Sequence, residues 1–148
     1  MITRVTDLIT QDHNAVHRLF LTLERAEDPS EQRGLIAQIV QELDAHASAE
    51  EEVFYPAMRG VSRRIDDAEA AHEHVRTLIA EIQSGEPGSA EFPAQVLQLK
   101  QAVLSHAAEE ENGILLEAGR LAPDDLERLG AAMEEAKAAA KAGARRAA

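Results

Sequence analysis

Two stretches, His46-Ala47-Ser48-Ala49-Glu50 and His106-Ala107-Ala108-Glu109-Glu110, constrain this chain more than any other feature. Each has the form HxxxE. An α-helix turns about 100° per residue, so a histidine and a glutamate four apart point the same way. Ile36, Ile39 and Leu43 precede His46, and Phe54 follows it; Val96, Leu99 and Val103 precede His106, and Ile114 follows it. These apolar residues stand at the same offsets in both copies, on the helix side that carries the His and Glu. Each pair therefore sits inside an apolar stripe. A carboxylate buried there without a partner would be costly, or would take up a proton. A cation between the two helices removes that cost, which points to a metal.

The rest of the composition narrows the class. At 148 residues the chain is long enough for one domain with a real core. It is poor in Gly, Pro and aromatics, which favours helix throughout. It has no cysteine, so disulfides, thiolate zinc sites and Cys-ligated iron–sulfur clusters are excluded. The net charge of −12 argues against nucleic acid or anionic membrane as a partner. The first twenty residues hold Asp7 and Asp12 and no continuous apolar run, and no stretch is apolar enough to span a membrane. A cytoplasmic location is expected.

Taken in order, the apolar spacing predicts helices over residues 6–27, 30–55, 62–84 and 93–119. Asp28-Pro29-Ser30 ends the first and caps the second, Pro56 and Gly60 break the second, and 85–89 is a loop. Pro93 suits the first turn of the fourth helix. Pro123-Asp124-Asp125 opens a short fifth helix whose apolar signal is Leu126, Leu129 and Met133. From Ala136 on, the chain is alanine with Lys137, Lys141, Arg145 and Arg146, and this tail is expected to fray. Its basicity could serve an anionic partner, although a solubilising helical tail is the simpler use.

The helices repeat in pairs. His13, Val16, Leu19, Phe20 and Leu23 match His72, Val75, Leu78, Ile79 and Ile82 at an offset of 59, and the HxxxE stretches match at an offset of 60. A two-helix unit, 5–58 and again 64–118, has been used twice. Four such helices with short loops predict an all-α, antiparallel up-down-up-down four-helix bundle over residues 1–120, with 121–148 as C-terminal helix and basic tail. The repeat also selects among histidines. His13 and His72 are equivalent and lie at the stripe edge; His17 is matched by Arg76 and points further out, and His74 lies on the other flank. The inward set is His13, His46, Glu50, His72, His106 and Glu110.

One buried histidine is usually a hydrogen-bonded core residue, and one HxxxE is weak evidence. Symmetric duplication on inward faces is not explained by solvated charge. Imidazole with carboxylate and no thiol suits Fe, Mn or Zn. Six ligands fit two ions bridged by Glu50 and Glu110, with two histidines on each, and open positions imply chemistry or small-molecule binding.

This H…HxxxE…H…HxxxE pattern, carried by His13, His46 with Glu50, His72, and His106 with Glu110, resembles the hemerythrin-like HHE cation-binding family over roughly residues 5–118. The run Glu50 to Pro56 also looks like that family's continuation. The resemblance implies a non-haem di-iron centre with bridging carboxylates and an oxo or hydroxo bridge. Oxygen-carrying members have a second histidine four residues after the third-helix ligand, where this chain has Arg76, and HxxxxD in the last helix, where it has Glu110. Members that repair iron centres carry an additional cysteine-bearing region. What remains resembles stand-alone bacterial members that handle peroxide, nitric oxide or O2 in oxidative or nitrosative stress. The expected function is a di-iron oxidoreductase acting on H2O2, NO or O2, with an unidentified redox donor. The alternative is an O2-, NO- or iron-sensing or iron-binding module without turnover, which a partner protein reads.

Two look-alikes are weaker. Glu69-x-x-His72 is a single ferritin-like ExxH where that fold needs two, and His72-Glu73-His74 lacks the second histidine of a zinc protease. Tyr55, the one tyrosine, is nine residues after His46 and would point away on a straight helix. It is either a bundle-end core residue with its hydroxyl in water or, if Pro56 unwinds the helix, a metal ligand or a donor to one.

Overall fold

The computed structural model describes residues 3–147, with side chains through residue 144. Helix α1 (Val5–Arg25) is followed by α2 (Pro29–Ala49), which starts on Pro29 with the Asp28 carboxylate accepting from the Glu31 backbone N–H. That cap satisfies one of the otherwise unpaired N–H groups of the first turn. The second bundle helix does not continue as pure α-helix. Residues Glu50–Phe54 form a π-helical turn, in which the Tyr55 N–H reaches back to the Glu50 carbonyl, and α3 (Tyr55–Met58) completes the arm. Helix α4 (Ile65–Gln83) and helix α5 (Phe92–Asn112) form the second hairpin. Gly113 interrupts the fourth arm before α6 (Ile114–Glu117) and a 3-10 turn over Ala118–Arg120. A Cβ on Gly113 would meet the Arg64 side chain and the Glu109 carbonyl at 2.9 Å. The glycine thus allows Arg64 to lie across the break and donate from Nε to Glu117 at 3.0 Å.

The core falls into two apolar clusters. One contains Val16, Phe20, Ile39, Leu43, Val75, Leu78, Leu99 and Val103. The other contains Val5, Ile9, Ala49, Phe54, Ile65, Ala68, Ile114 and Met133. The first arm passes from the second cluster to the first, the second arm runs back, and the third and fourth repeat this. The predicted antiparallel four-helix bundle is therefore the observed fold. Between the clusters, each arm crosses one polar layer, and that layer holds the histidines and glutamates of the repeat.

The fifth helix, α7 (Pro123–Ala147), differs from expectation along its last half. The alanine-rich stretch from Ala136 is helical through Ala147 instead of frayed. It lies on α1, α2 and the π turn. Leu126 and Met133 are buried, Lys137 donates to Asp12, and Lys141 donates to Glu42 at 2.8 Å. Alanine has the highest helix propensity, and burial of one face adds the tertiary support that an isolated helix lacks. The side chains of Arg145 and Arg146, part of the predicted basic tail, lie outside the described residues.

Candidate metal centre

The six inward residues reach the polar layer from all four arms, one each from the first and third and two each from the second and fourth. His13 stands between Ile9 and Val16 on α1, and His46 between Leu43 and Ala49 on α2. Glu50 opens the π turn, His72 stands between Ala68 and Val75 on α4, and His106 and Glu110 close α5. His46, Glu50, His72 and Glu110 are buried, and His13 and His106 are nearly so. His74 is exposed, and His72 is the helix α4 histidine that stands with the cluster. Glu69, the ferritin-like look-alike, turns outward and pairs with Arg59.

The ligand atoms form two groups. His13, His46, Glu50 and Glu110 offer one set, and Glu50, His72 and His106 another, with the atoms of each within 4.8 Å of one another. Glu50 belongs to both. The rings pair in the same way, with centroids 5.1 Å apart for His13 and His46 and 4.9 Å for His72 and His106. Within the first group, His13 Nε2 is 3.2 Å from Glu110 Oε1 and His46 Nε2 is 3.1 Å from Glu50 Oε1. Yet both His13 nitrogens, His46 Nε2, Glu50 Oε2 and Glu110 Oε1 are buried with no properly oriented hydrogen-bond partner. Buried polar atoms are almost always paired, and an unpaired one costs about 1–3 kcal/mol. All four residues that carry these orphans belong to the first ligand group, and unpaired imidazole and carboxylate atoms gathered there fit a cation.

Tyr55 is not at a wet bundle end. It is 1% exposed, and its hydroxyl donates to Glu110 Oε2 at 2.5 Å. The same oxygen lies 3.4 Å from Glu50 Oε1, 3.2 Å from His72 Nε2 and 3.4 Å from His106 Nε2. The π turn is the reason. Its hydrogen bond closes on the fifth residue instead of the fourth, so Tyr55 returns to the face of Glu50, which a straight α-helix would not allow.

The protonation pattern follows from burial and from the partners at close range. Burial opposes charge on His46, but the Glu50 charge 3.1 Å away and the bond to Asp12 outweigh it and lift the imidazole to about 10. Burial and the neighbouring His46 push His13 down to about 4. Burial likewise lowers His106 to about 4 against the pull of Glu50. Burial would raise Glu50, yet the positive charge of His46 beside it and the close approach of His72 hold it well below the carboxylate range. Burial and the adjacent Glu50 push Glu110 well above that range, and burial with both carboxylates raises the Tyr55 phenol. Without metal, one carboxylate carries the charge and the other keeps a proton, because two buried anions cannot both ionise at this distance.

Two polar residues outside the six, Asp12 and Glu51, also touch the cluster, and a third, Arg76, holds one of them. His46 Nδ1 donates to Asp12 Oδ2 at 2.8 Å, and His72 Nδ1 donates to Glu51 Oε2 at 2.6 Å. Arg76 donates to Glu51 Oε1 at 2.9 Å. Sequence spacing gave no sign of these contacts, because they join different helices. Above the histidines is a cavity of about 40 Å³, walled by Val16, Leu43, Val75, Ile79 and Val103, with Asp44 and Arg76 at its edge. A second opening of about 110 Å³ reaches His106 and Glu110 past Arg64 and Asp67.

The family model for the hemerythrin HHE cation binding domain matches residues 4–118. The chain belongs to the hemerythrin HHE cation-binding family. It binds metal as a hemerythrin-like helical bundle, with the His/Glu cluster as its candidate site. A crystal structure of a hemerythrin HHE cation binding domain-containing protein from Mycobacterium kansasii superposes with a TM-score of 0.89 at 21% identity. The match covers 97% of this chain and 91% of that one, and establishes the shared fold. A protein named DNA nickase from Nostoc sp. (strain PCC 7120 / SAG 25.82 / UTEX 2576) is 36% identical over 110 residues. That covers 73% of this hemerythrin-like chain and 31% of the relative, so the chain spans less than a third of the relative's length.

Proposed function

We propose that this hemerythrin-like protein holds two iron ions and reacts with a small oxidant or radical: H2O2, NO or O2. The observation that carries this is the cavity of about 40 Å³ above His13, His46, His72 and His106. It exceeds the space one water needs and suits a molecule of two or three atoms. His13 and His46 would hold one ion, His72 and His106 the other, and Glu50 would bridge them. Glu110 would complete the first group and reach toward the second beside Tyr55, whose hydroxyl either enters that shell or keeps its bond to Glu110. Two adjacent irons supply or accept electrons in pairs, which suits peroxide decomposition or nitric oxide turnover in a stress response.

The apolar walls of the cavity beside the histidines leave little room for water on that side, and the second opening past Arg64 and Asp67 gives a polar approach to His106 and Glu110. Arg76 fixes Glu51, which holds His72, while Asp44 and Arg76 give the otherwise apolar cavity one polar edge. A cytoplasmic setting belongs to the same proposal. Among the described residues, no helix is long and apolar enough to cross a membrane. The nickase name of the Nostoc relative is not extended to this chain, since a net charge of −12 disfavours a duplex partner.

A second reading is a sensing or iron-binding module without turnover. The observation favouring it is the packing of α7 on α1, α2 and the π turn, which would let a change at the site be passed to that helix. Both readings are tested by loading the metal-free protein with ferrous iron without oxygen, counting metal, and following consumption of H2O2 and of NO. About two irons per chain with turnover supports the first. Two irons without turnover supports the second. Failure to take up iron overturns the redox reading.

A further inference from the structure

Two of the clustered histidines are held from behind in the same manner. His72 donates from Nδ1 to Glu51, and the other Glu51 oxygen accepts from Arg76 at 2.9 Å. His46 donates from Nδ1 to Asp12 Oδ2 at 2.8 Å, and Asp12 Oδ1 accepts from Lys137 Nζ. The first relay lies entirely within the four-arm bundle. The second draws its cation from α7, 125 residues along the chain from Asp12. Lys137 and Asp12 are each only 14% exposed, whereas Arg76 and Glu51 are about one third exposed.

A histidine that offers Nε2 to a cation needs its proton on Nδ1 and its ring locked. A carboxylate on Nδ1 does both. Asp12 can hold His46 only while it is itself held, and the ammonium group of Lys137 on its second oxygen does that.

We infer that Lys137 is a positioning residue of the His13/His46 half of the metal centre, so that α7 forms part of the site instead of an appended tail. This rests on the reading that the clustered histidines hold metal. The competing account is that Lys137 and Asp12 only dock the helix. Lys141 supplies the control. One turn further on the same helix, it pairs with Glu42 at 2.8 Å, and neither residue touches the cluster. A docking role would make the two lysines equivalent; a positioning role separates them.

The test uses the full chain, metal-free, titrated anaerobically with ferrous iron against a competing chelator. Melting curves of each metal-free variant report whether α7 stays docked. In wild type, two ions are expected. Lys137→Met should weaken one of them by about 10-fold to 100-fold, the usual effect of losing such an outer partner, and leave the other unchanged. Lys137→Arg, which keeps a cation on Asp12, should restore much of the loss, and Lys141→Met should leave both affinities as they were. If Lys137→Met unfolds the chain, Lys137→Gln replaces it with the same expectation. The inference is overturned if the Lys137 variants bind both ions as wild type does, or if Lys141→Met weakens binding equally. Wild type that binds no iron would overturn the metal reading itself, a different and separately visible failure.

Discussion

The Tyr55 hydroxyl donates to Glu110 Oε2 at 2.5 Å, joining residues 55 positions apart at the centre of the metal cluster. The contact puts a phenol where both groups of ligand atoms meet. In the iron-loaded protein, Tyr55→Phe should remove a broad visible phenolate-to-iron band while about two irons per chain remain. In the metal-free protein, it should lower stability by about 1–3 kcal/mol, the cost of leaving a buried carboxyl oxygen without its donor. A variant spectrum identical to wild type would leave Tyr55 outside the metal shell.

The two glutamates should behave differently. Glu50 contributes to both ligand groups and carries the buried charge that balances His46. Glu50→Gln should abolish binding of both ions and destabilise the metal-free chain by about 3–5 kcal/mol, as expected when a buried ion pair loses one member. Glu110 contributes to one group and is held protonated. Glu110→Gln mimics that neutral form, so it should weaken metal binding while changing metal-free stability by less than about 1.5 kcal/mol. Metal counts and denaturant midpoints on both variants check this; equal destabilisation by the two would contradict it.

Metal-free stability should peak near pH 6.5. His13 and His106 have folded values near 4 against an ordinary 6.5, so their contribution is present above 6.5 and lost as pH falls toward 4. Glu110 is shifted upward from 4.5, so its contribution is present below 4.5 and lost as pH rises. Between 6.5 and 4.5, two groups oppose one. Stability should fall on the acid side by up to about 1.4 kcal/mol per pH unit. His46, raised to about 10, contributes fully below 6.5 and loses its contribution above it. Glu110 adds to that alkaline loss. Melting temperatures of metal-free protein across this range check the shape, and a profile rising steadily to pH 9 would refute it.

Gly130 should be intolerant of a side chain. A Cβ there would stand 2.0 Å from the Thr3 carbonyl oxygen and 3.1 Å from the Val5 nitrogen, both backbone atoms that cannot turn aside. Gly130→Ala should shift α7 off α1 and cost more than the ~1 kcal/mol that alanine ordinarily gains over glycine in a helix. The melting temperature should fall, and amides along α7 should exchange faster. A more stable Gly130→Ala protein would mean that α7 does not make this close crossing.

The sequence by itself determined the bundle and its polar layer. The apolar residues three and four apart fix which side of each helix faces inward, and His46, Glu50, His106 and Glu110 ride on those same stripes. The repeat then singles out His13 and His72, and Pro29 and Pro93 mark element starts through local backbone restrictions. All of this is encoded within a turn or two of helix, where 3.6-residue geometry links sequence position to direction. Tertiary structure decided the rest. The break at Gly113, inside the helix expected over residues 93–119, came only with the structure. Tyr55 turns inward because one hydrogen bond in the second arm closes on a fifth residue, which brings its hydroxyl to two carboxylates on separate arms. Asp12 reaches His46 across 34 residues, Glu51 reaches His72 across 21, and Lys137 reaches Asp12 across 125. The alanine-rich tail is ordered because α1, α2 and the π turn present a surface that buries one of its faces. Such contacts depend on how whole helices pack, and no periodicity within a single helix records them.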